Sequence, residues 1–352
     1  MQHISFYRFK REALTLLVLL LVVHLSARTP ATHTFTVTNN VVWTHVAGMD
    51  LKMDIYVPDG GLESYPVIII YHGGGWLINH KSDMDSLSIY LASHANYVVC
   101  NVDYRLLGDN GNTTYMNEIV EDALGAAIWV KENIALYKGD GSKIIVSGDS
   151  AGGHLASMVM LCGVDFKASQ YGNDTLHFTP SWLPPNQTPS SYVAMGGINV
   201  KAAILNYPAI DVDRLCKSGF ETVANPFWLV GKVKMRPILA DSLSHQKNPQ
   251  YYKAISPIYQ IPLKNDRLLP PQLCIVGSID VVTPPRYVKK YVDRCSKLGQ
   301  PIVYWKYKRK QHGFLSLIKN TGSLFDFTRD APFAIDKMIL FLDGVFYKRE
   351  SI

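Results

Sequence analysis

Short apolar runs bounded by polar turns recur along this chain. Val67–Tyr71, Tyr97–Val102, Lys143–Ser147, Lys201–Asn206, Gln272–Gly277 and Val303–Tyr307 are rich in β-branched residues and end at turn formers, the pattern of strands buried on both faces. Thr34–Thr38 and Leu51–Val57 alternate more openly and read as half-exposed strands, followed by a turn at Asp59-Gly60-Gly61. Between the strands, Asp83–Ala95, Glu118–Ile134, Ala151–Cys162, Arg286–Leu298 and Ala331–Phe346 read as helices. This alternation predicts an α/β fold, with a mostly parallel central sheet flanked by helices.

Two stretches break the rhythm. Residues 163–197 hold Pro180, Pro184, Pro185 and Pro189 and read as a surface insertion. Residues 207–262 lack clear strands but are rich in Phe, Trp, Tyr, Met and Leu, which suits a helical cap over one end of the sheet. The basic residues Arg8, Lys10 and Arg11 precede an apolar run from Ala13 to Val23. That pattern makes residues 1–27 either a cleaved signal peptide or an uncleaved N-terminal membrane anchor. Both readings send the rest of the chain into the secretory pathway, to be secreted or held in the endoplasmic reticulum lumen. The acceptor sequons at Asn112, Asn173 and Asn186 lie in polar, turn-rich segments and fit N-glycosylation on that route.

Composition narrows the class. Hydrophobic residues make up 47% of the 352 positions and charged residues 18%, enough to fill a large core. The net charge of +6 is too mild to point to nucleic acid. The five cysteines form no C-x-x-C pair, so a zinc site is not indicated, and no disulfide partner can be chosen among them.

The chemistry concentrates at strand ends. Gly148-Asp149-Ser150-Ala151-Gly152 follows a strand and opens a helix, which is the setting that gives a G-x-S-x-G motif its meaning as a nucleophile elbow. Tyr71-His72-Gly73-Gly74-Gly75-Trp76 follows an earlier strand, as an oxyanion loop does. A serine hydroxyl needs a base, and the base needs a carboxylate to fix its tautomer. Asp280 follows the strand ending at Gly277, and His312 follows the last strand, in the order serine, acid, histidine. The expected catalytic set is Ser150, Asp280 and His312, with the backbone N–H groups of Gly73, Gly74 and Ala151 as oxyanion hole. Asp211, Asp213, Asp241, Asp266 and Asp293, and His154, His177 and His245, are rivals placed away from those strand ends. His72 is expected to brace the glycine loop, and Trp76 to pack under it. The basic run Lys306, Lys308, Arg309 and Lys310 reads as a solvated edge, with an anion- or membrane-facing patch as the sharper reading.

With these motifs in place, the chain resembles the hormone-sensitive-lipase-like carboxylesterases of the α/β-hydrolase superfamily, and among them the arylacetamide deacetylase and neutral cholesterol ester hydrolase group. The resemblance covers about residues 50–347 of an α/β-hydrolase domain expected over 33–347, and implies hydrolysis of a small-molecule ester without a cofactor and membrane association through the N-terminal segment. Two features depart from it. Tyr104-Arg105-Leu106 continues into Leu107-Gly108-Asp109-Asn110, where the family usually has Ala-Pro-Glu. Asp280-Val281-Val282-Thr283-Pro284 looks more like the related esterases that include feruloyl esterases and kynurenine formamidase. The expectation is a serine carboxylic-ester hydrolase acting on short-chain or apolar acyl esters. The alternatives are an amidase, formamidase or acyl transferase using the same residues, or an inactive binding module.

Overall fold

The computed structural model describes residues 32–168, 175–316 and 326–347. The N-terminal apolar segment and Asn173 lie outside them. Ten strands are present among the described residues: β1 (Phe35–Val46), β2 (Met49–Pro58), β3 (Tyr65–Tyr71), β4 (Val98–Val102), β5 (Gly139–Asp149), β6 (Lys167–Ala168), β7 (Leu176–His177), β8 (Ala202–Asn206), β9 (Gln272–Gly277) and β10 (Ile302–Tyr307). Eight of them form one sheet in the order β1-β2-β4-β3-β5-β8-β9-β10. β1 and β2 run antiparallel to their neighbours, and every pairing from β4 to β10 is parallel.

Burial explains which strands lie inside. Every residue of β3, β4, β8 and β9 is buried, so these runs carry no polar alternation. The helix Ala151–Cys162 packs on β5, β8 and β3, and Met116–Asn133 packs beside it. Asp85–His94 contacts β4 and the C-terminal helix Pro332–Phe346, while Pro285–Lys297 covers β9 and β10. None of the helices among the described residues is long and apolar enough to cross a membrane.

Several expectations are refined. β1 runs eight residues past Thr38, as a hairpin whose Ala47 and Gly48 both have positive φ (50° and 77°), the backbone of a tight two-residue turn. Residues 163–197 are more than a surface excursion. Phe166, Phe178 and Tyr192 from this segment are buried in the core, beside the small β6–β7 ribbon and a helix at Pro189–Ala194. The helices within residues 207–262 are short (Val212–Lys217, Phe227–Val230 and Pro249–Ala254) and irregular chain joins them. All five cysteines are buried and unpaired.

One buried charge cluster ties the sheet to its main helix. Arg105, just past β4, donates from Nε and Nη2 to both Asp122 oxygens at 2.8 Å, and from Nη1 to Glu118 at 2.8 Å. Asp122 is fully buried and Arg105 nearly so. A two-pronged guanidinium–carboxylate pair compensates desolvation well, but removing one partner strands the other. Arg105→Ala should therefore lower unfolding free energy by about 3–5 kcal/mol in urea titration. A loss under about 1 kcal/mol would mean that Asp122 finds another partner.

Candidate active site

β5 delivers Gly148 and Asp149 to the carboxyl edge of the sheet, and the chain then turns sharply at Ser150. Ser150 has φ 54° and ψ −113°, a costly conformation for a non-glycine residue, and the helix Ala151–Cys162 begins at the next position. The turn brings backbones too close for side chains: a Cβ on Gly152 would lie 1.8 Å from the Tyr71 carbonyl oxygen, and one on Gly148 would lie 2.3 Å from that of Gly152. Glycine there is a steric requirement of the elbow. The bend lifts Ser150 Oγ to the head of a helix whose first amides have no partners within that helix.

His312 arrives from the loop after β10, and its Nε2 lies 2.9 Å from Ser150 Oγ. On the other side of the ring, Nδ1 lies 2.8 Å from Asp280 Oδ2. Asp280 is itself held, with Oδ1 accepting from the backbone N–H groups of Val282 (2.9 Å) and Thr283 (2.8 Å). Thr283 Oγ1 lies 3.0 Å from Oδ2. Tyr207 packs edge-on against the imidazole, with ring centroids 4.7 Å apart. The three side chains, drawn from three strand ends, form one continuous hydrogen-bonded row.

The rivals lie elsewhere. Asp211 caps the helix at 212–217, Asp213 pairs with Lys217, and Asp293 pairs with Lys289 along its own helix. His154 is buried against the Ile255 carbonyl, and burial pushes its pKa down to about 4. His245 faces Glu221 at 3.7 Å, and His177 and Asp266 are on the surface. Of the basic run, Lys310 is tied to Asp330.

The glycine loop is braced as well as bent. His72 Nδ1 lies 2.7 Å from the Gly73 carbonyl, and its ring stacks on Tyr104 at 4.3 Å. Gly74 has φ 110°, and a Cβ there would meet the Ile78 carbonyl at 2.1 Å. Gly73 and Gly74 differ in what their backbones face. The Gly73 backbone lies against the Asp149 side chain, where a Cβ on Gly73 would meet Oδ2 at 2.6 Å. Gly74 borders one cavity with Ser150, and Ala151 borders a second cavity with Ser150. Trp76 is buried beneath the loop and also borders that second cavity.

Asp149 was missed from the sequence, although a lone carboxylate at the end of a buried strand is a signal in itself. It is 3% exposed. The hydroxyls of Tyr207 and Ser316 each donate to its Oδ2 at 3.3 Å, and Oδ1 has no partner. Burial pushes its pKa up to about 6, opposed by the nearby His312 and by the hydrogen bonds from Gly73, Ser316 and Tyr207.

Ser150 stands between two cavities. One, of about 700 Å³, is bordered by His312, Gly74 and several carboxylates. The other, of about 350 Å³, is walled by Trp76, Leu215, Phe220 and Val282. Phe227 borders both.

The family model BD-FAE matches residues 53–293, most of the chain. The chain belongs to the BD-FAE family. It is similar to carboxylesterase NlhH of Mycobacterium tuberculosis, with 32% identity over 162 residues, 46% of this chain and 48% of that protein. It also resembles a probable isoprenylcysteine alpha-carbonyl methylesterase, ICMEL2 of Arabidopsis thaliana, at 25% identity over 76% of this chain and 55% of that one. The chain thus spans about half the length of these curated relatives. Among solved structures, Thermogutta terrifontis esterase 2 phosphorylated by paraoxon superposes with a TM-score of 0.61 at 21% identity, covering 92% of this chain and 98% of that one. At that identity the likeness shows a shared α/β-hydrolase fold.

The raised Asp149 carboxyl has a consequence for stability. The folded chain holds this proton up to about pH 6, whereas an unfolded carboxyl releases it near 3.8. Its contribution to stability is therefore greatest in acid and falls as pH rises from about 4 to about 6. Asp149→Asn should remove that slope, so the variant gains on the wild type across this window by up to about 3 kcal/mol. Urea titrations between pH 4 and pH 7 measure it, and parallel curves would refute a buried, proton-holding Asp149.

Proposed function

We propose that the chain is a serine carboxylic-ester hydrolase working through an acyl-enzyme on Ser150. The observation that carries this reading is the row from Asp280 through both nitrogens of His312 to Ser150 Oγ, with contacts of 2.8 and 2.9 Å. Family membership and the carboxylesterases among its relatives support the same class. In this reading His312 Nε2 takes the Ser150 proton as Oγ attacks the carbonyl carbon. Asp280 holds Nδ1–H and stabilises the imidazolium. His312 then protonates the leaving alcohol, and water releases the acyl group by the same steps in reverse.

The developing oxyanion goes to the backbone N–H of Ala151 and that of Gly74. The Gly73 amide, expected beside them, completes the set of donors. Because the leaving oxygen must lie next to His312, the alcohol part occupies the cavity that His312 borders. The acyl part enters the smaller apolar cavity, which favours short apolar acyl groups.

Ser150→Ala should leave the melting temperature near that of the wild type and cut kcat/KM on p-nitrophenyl acetate by several orders of magnitude, ~10⁴ or more. Asp280→Asn should lower kcat by ~10³–10⁴ with little change in KM. A Ser150→Ala enzyme with most of its activity left would end the reading.

The N-terminal basic-then-apolar segment supports entry into the secretory pathway as part of the same proposal. The sequons then differ in fitness. Asn186 is exposed, whereas the Asn112 amide donates to the Lys234 carbonyl at 2.8 Å and Thr114 of its sequon is fully buried. Expressed in its host, the chain should shift in size on endoglycosidase treatment. Asn186→Gln should reduce that shift, and Asn112→Gln should not. A sugar-free product that never enters the secretory route would contradict this location.

A further inference from the structure

The larger cavity beside Ser150 has a one-sided charge. Asp83, Asp85 and Asp149 border it, with Ser82, Asn79 and Ser316 as polar neighbours, and among the described residues no lysine or arginine borders it. Lys81, next to Ser82 in sequence, is committed to a buried ion pair with Asp54. Asp83 accepts through Oδ2 from the His80 amide, and Asp85 accepts through Oδ1 from Tyr56 and Asn101. At the inner end, Asp149 is nine-tenths buried and its Oδ1 has no partner. A buried carboxylate oxygen left without a donor costs free energy unless something with positive charge or an N–H comes to it. Phe227 supplies an aromatic face to the same space. Carboxylates around an aromatic wall are the chemistry that receives an ammonium group.

We infer that this cavity is a specificity site for esters whose alcohol portion carries a positive charge. The inference rests on the hydrolase reading, which puts the leaving alcohol on the His312 side, and it adds the chemical class of that alcohol. An ammonium two or three bonds from the ester oxygen would lie between Phe227 and the Asp83–Asp85 pair, with Asp149 drawing it inward. Anionic alcohols are repelled by the same groups. The apolar cavity on the other side of Ser150 keeps its preference for short acyl groups. The two cavities thus sort the two halves of one substrate by charge.

Choline acetate and its uncharged isostere 3,3-dimethylbutyl acetate differ in little but charge, so their kcat/KM ratio reads the site directly. The wild type should favour choline acetate about tenfold. That ratio should shrink in 0.5 M NaCl as the carboxylates are screened. It should fall several-fold in the Asp83→Asn/Asp85→Asn double variant, whose amides still accept the hydrogen bonds the carboxylates now accept. Tetramethylammonium should inhibit competitively. If the double variant does not fold, the salt and inhibitor measurements on the wild type decide the matter. Equal rates on the two esters overturn the inference, as does a preference for uncharged glycerol monoacetate over choline acetate. Hydrolysis of p-nitrophenyl acetate together with failure on choline acetate also overturns it while sparing the hydrolase reading. No hydrolysis of any of these esters sinks both.

Discussion

The elbow at Ser150 is the constraint on which the site depends. A non-glycine residue held at φ 54° stores backbone strain. That strain persists because Gly148 and Gly152 let β5, the following helix and the Tyr71 carbonyl approach within distances no side chain would allow. The neighbouring strands hold the turn from both sides. The Ser150 amide donates to the Asn206 carbonyl at the end of β8, and the Ala209 amide donates to the Ser150 carbonyl. β3, β5, β8, β9 and β10 run parallel, so the loops after them open on one edge. Histidine, acid and glycine loop are therefore placed by the same topology that bends the serine outward.

Around the elbow, the polar groups fall into two linked tiers. The upper tier is the Asp280–His312–Ser150 row, supported by Thr283 and Tyr207. The lower tier is Asp149, whose buried carboxylate accepts from the hydroxyls of Tyr207 and Ser316. Tyr207 belongs to both, since its ring meets His312 and its hydroxyl meets Asp149. The histidine loop and the turn after β8 are thus held to one buried carboxylate beside the serine. A buried carboxylate with an unpartnered oxygen is an expensive support, which is consistent with a role at the site rather than in stability alone.

Much of this was legible in the sequence, and the failures have physical reasons. The bounds of β9 and of the helix Ala151–Cys162 were read directly, because uniformly apolar runs ending at glycine leave little choice. Ser150, Asp280 and His312, which lie in one hydrogen-bonded row, stand out in the sequence because each follows a strand, and strand ends are where a parallel sheet collects its ligands. The far half of β1 was missed. Its exposed residues are mixed with the buried pair Trp43 and Thr44, it is interrupted by Asn39-Asn40, and its register shifts between Thr38 and Val41, so no alternation survives. The core role of Phe166, Phe178 and Tyr192 was hidden by the prolines around them. The Arg105–Asp122 pair was out of reach for another reason. A buried charge looks like a surface charge until its partners, distant in sequence, are known.

The central claim is that Ser150 is activated as a nucleophile by the His312–Asp280 pair. Its most direct test is covalent: treat the folded chain with a fluorophosphonate and map the adduct by peptide mass spectrometry. The account predicts one adduct per chain, on Ser150, and its loss in His312→Ala as well as in Ser150→Ala. An unlabelled chain, or label on another residue at comparable rate, would contradict it.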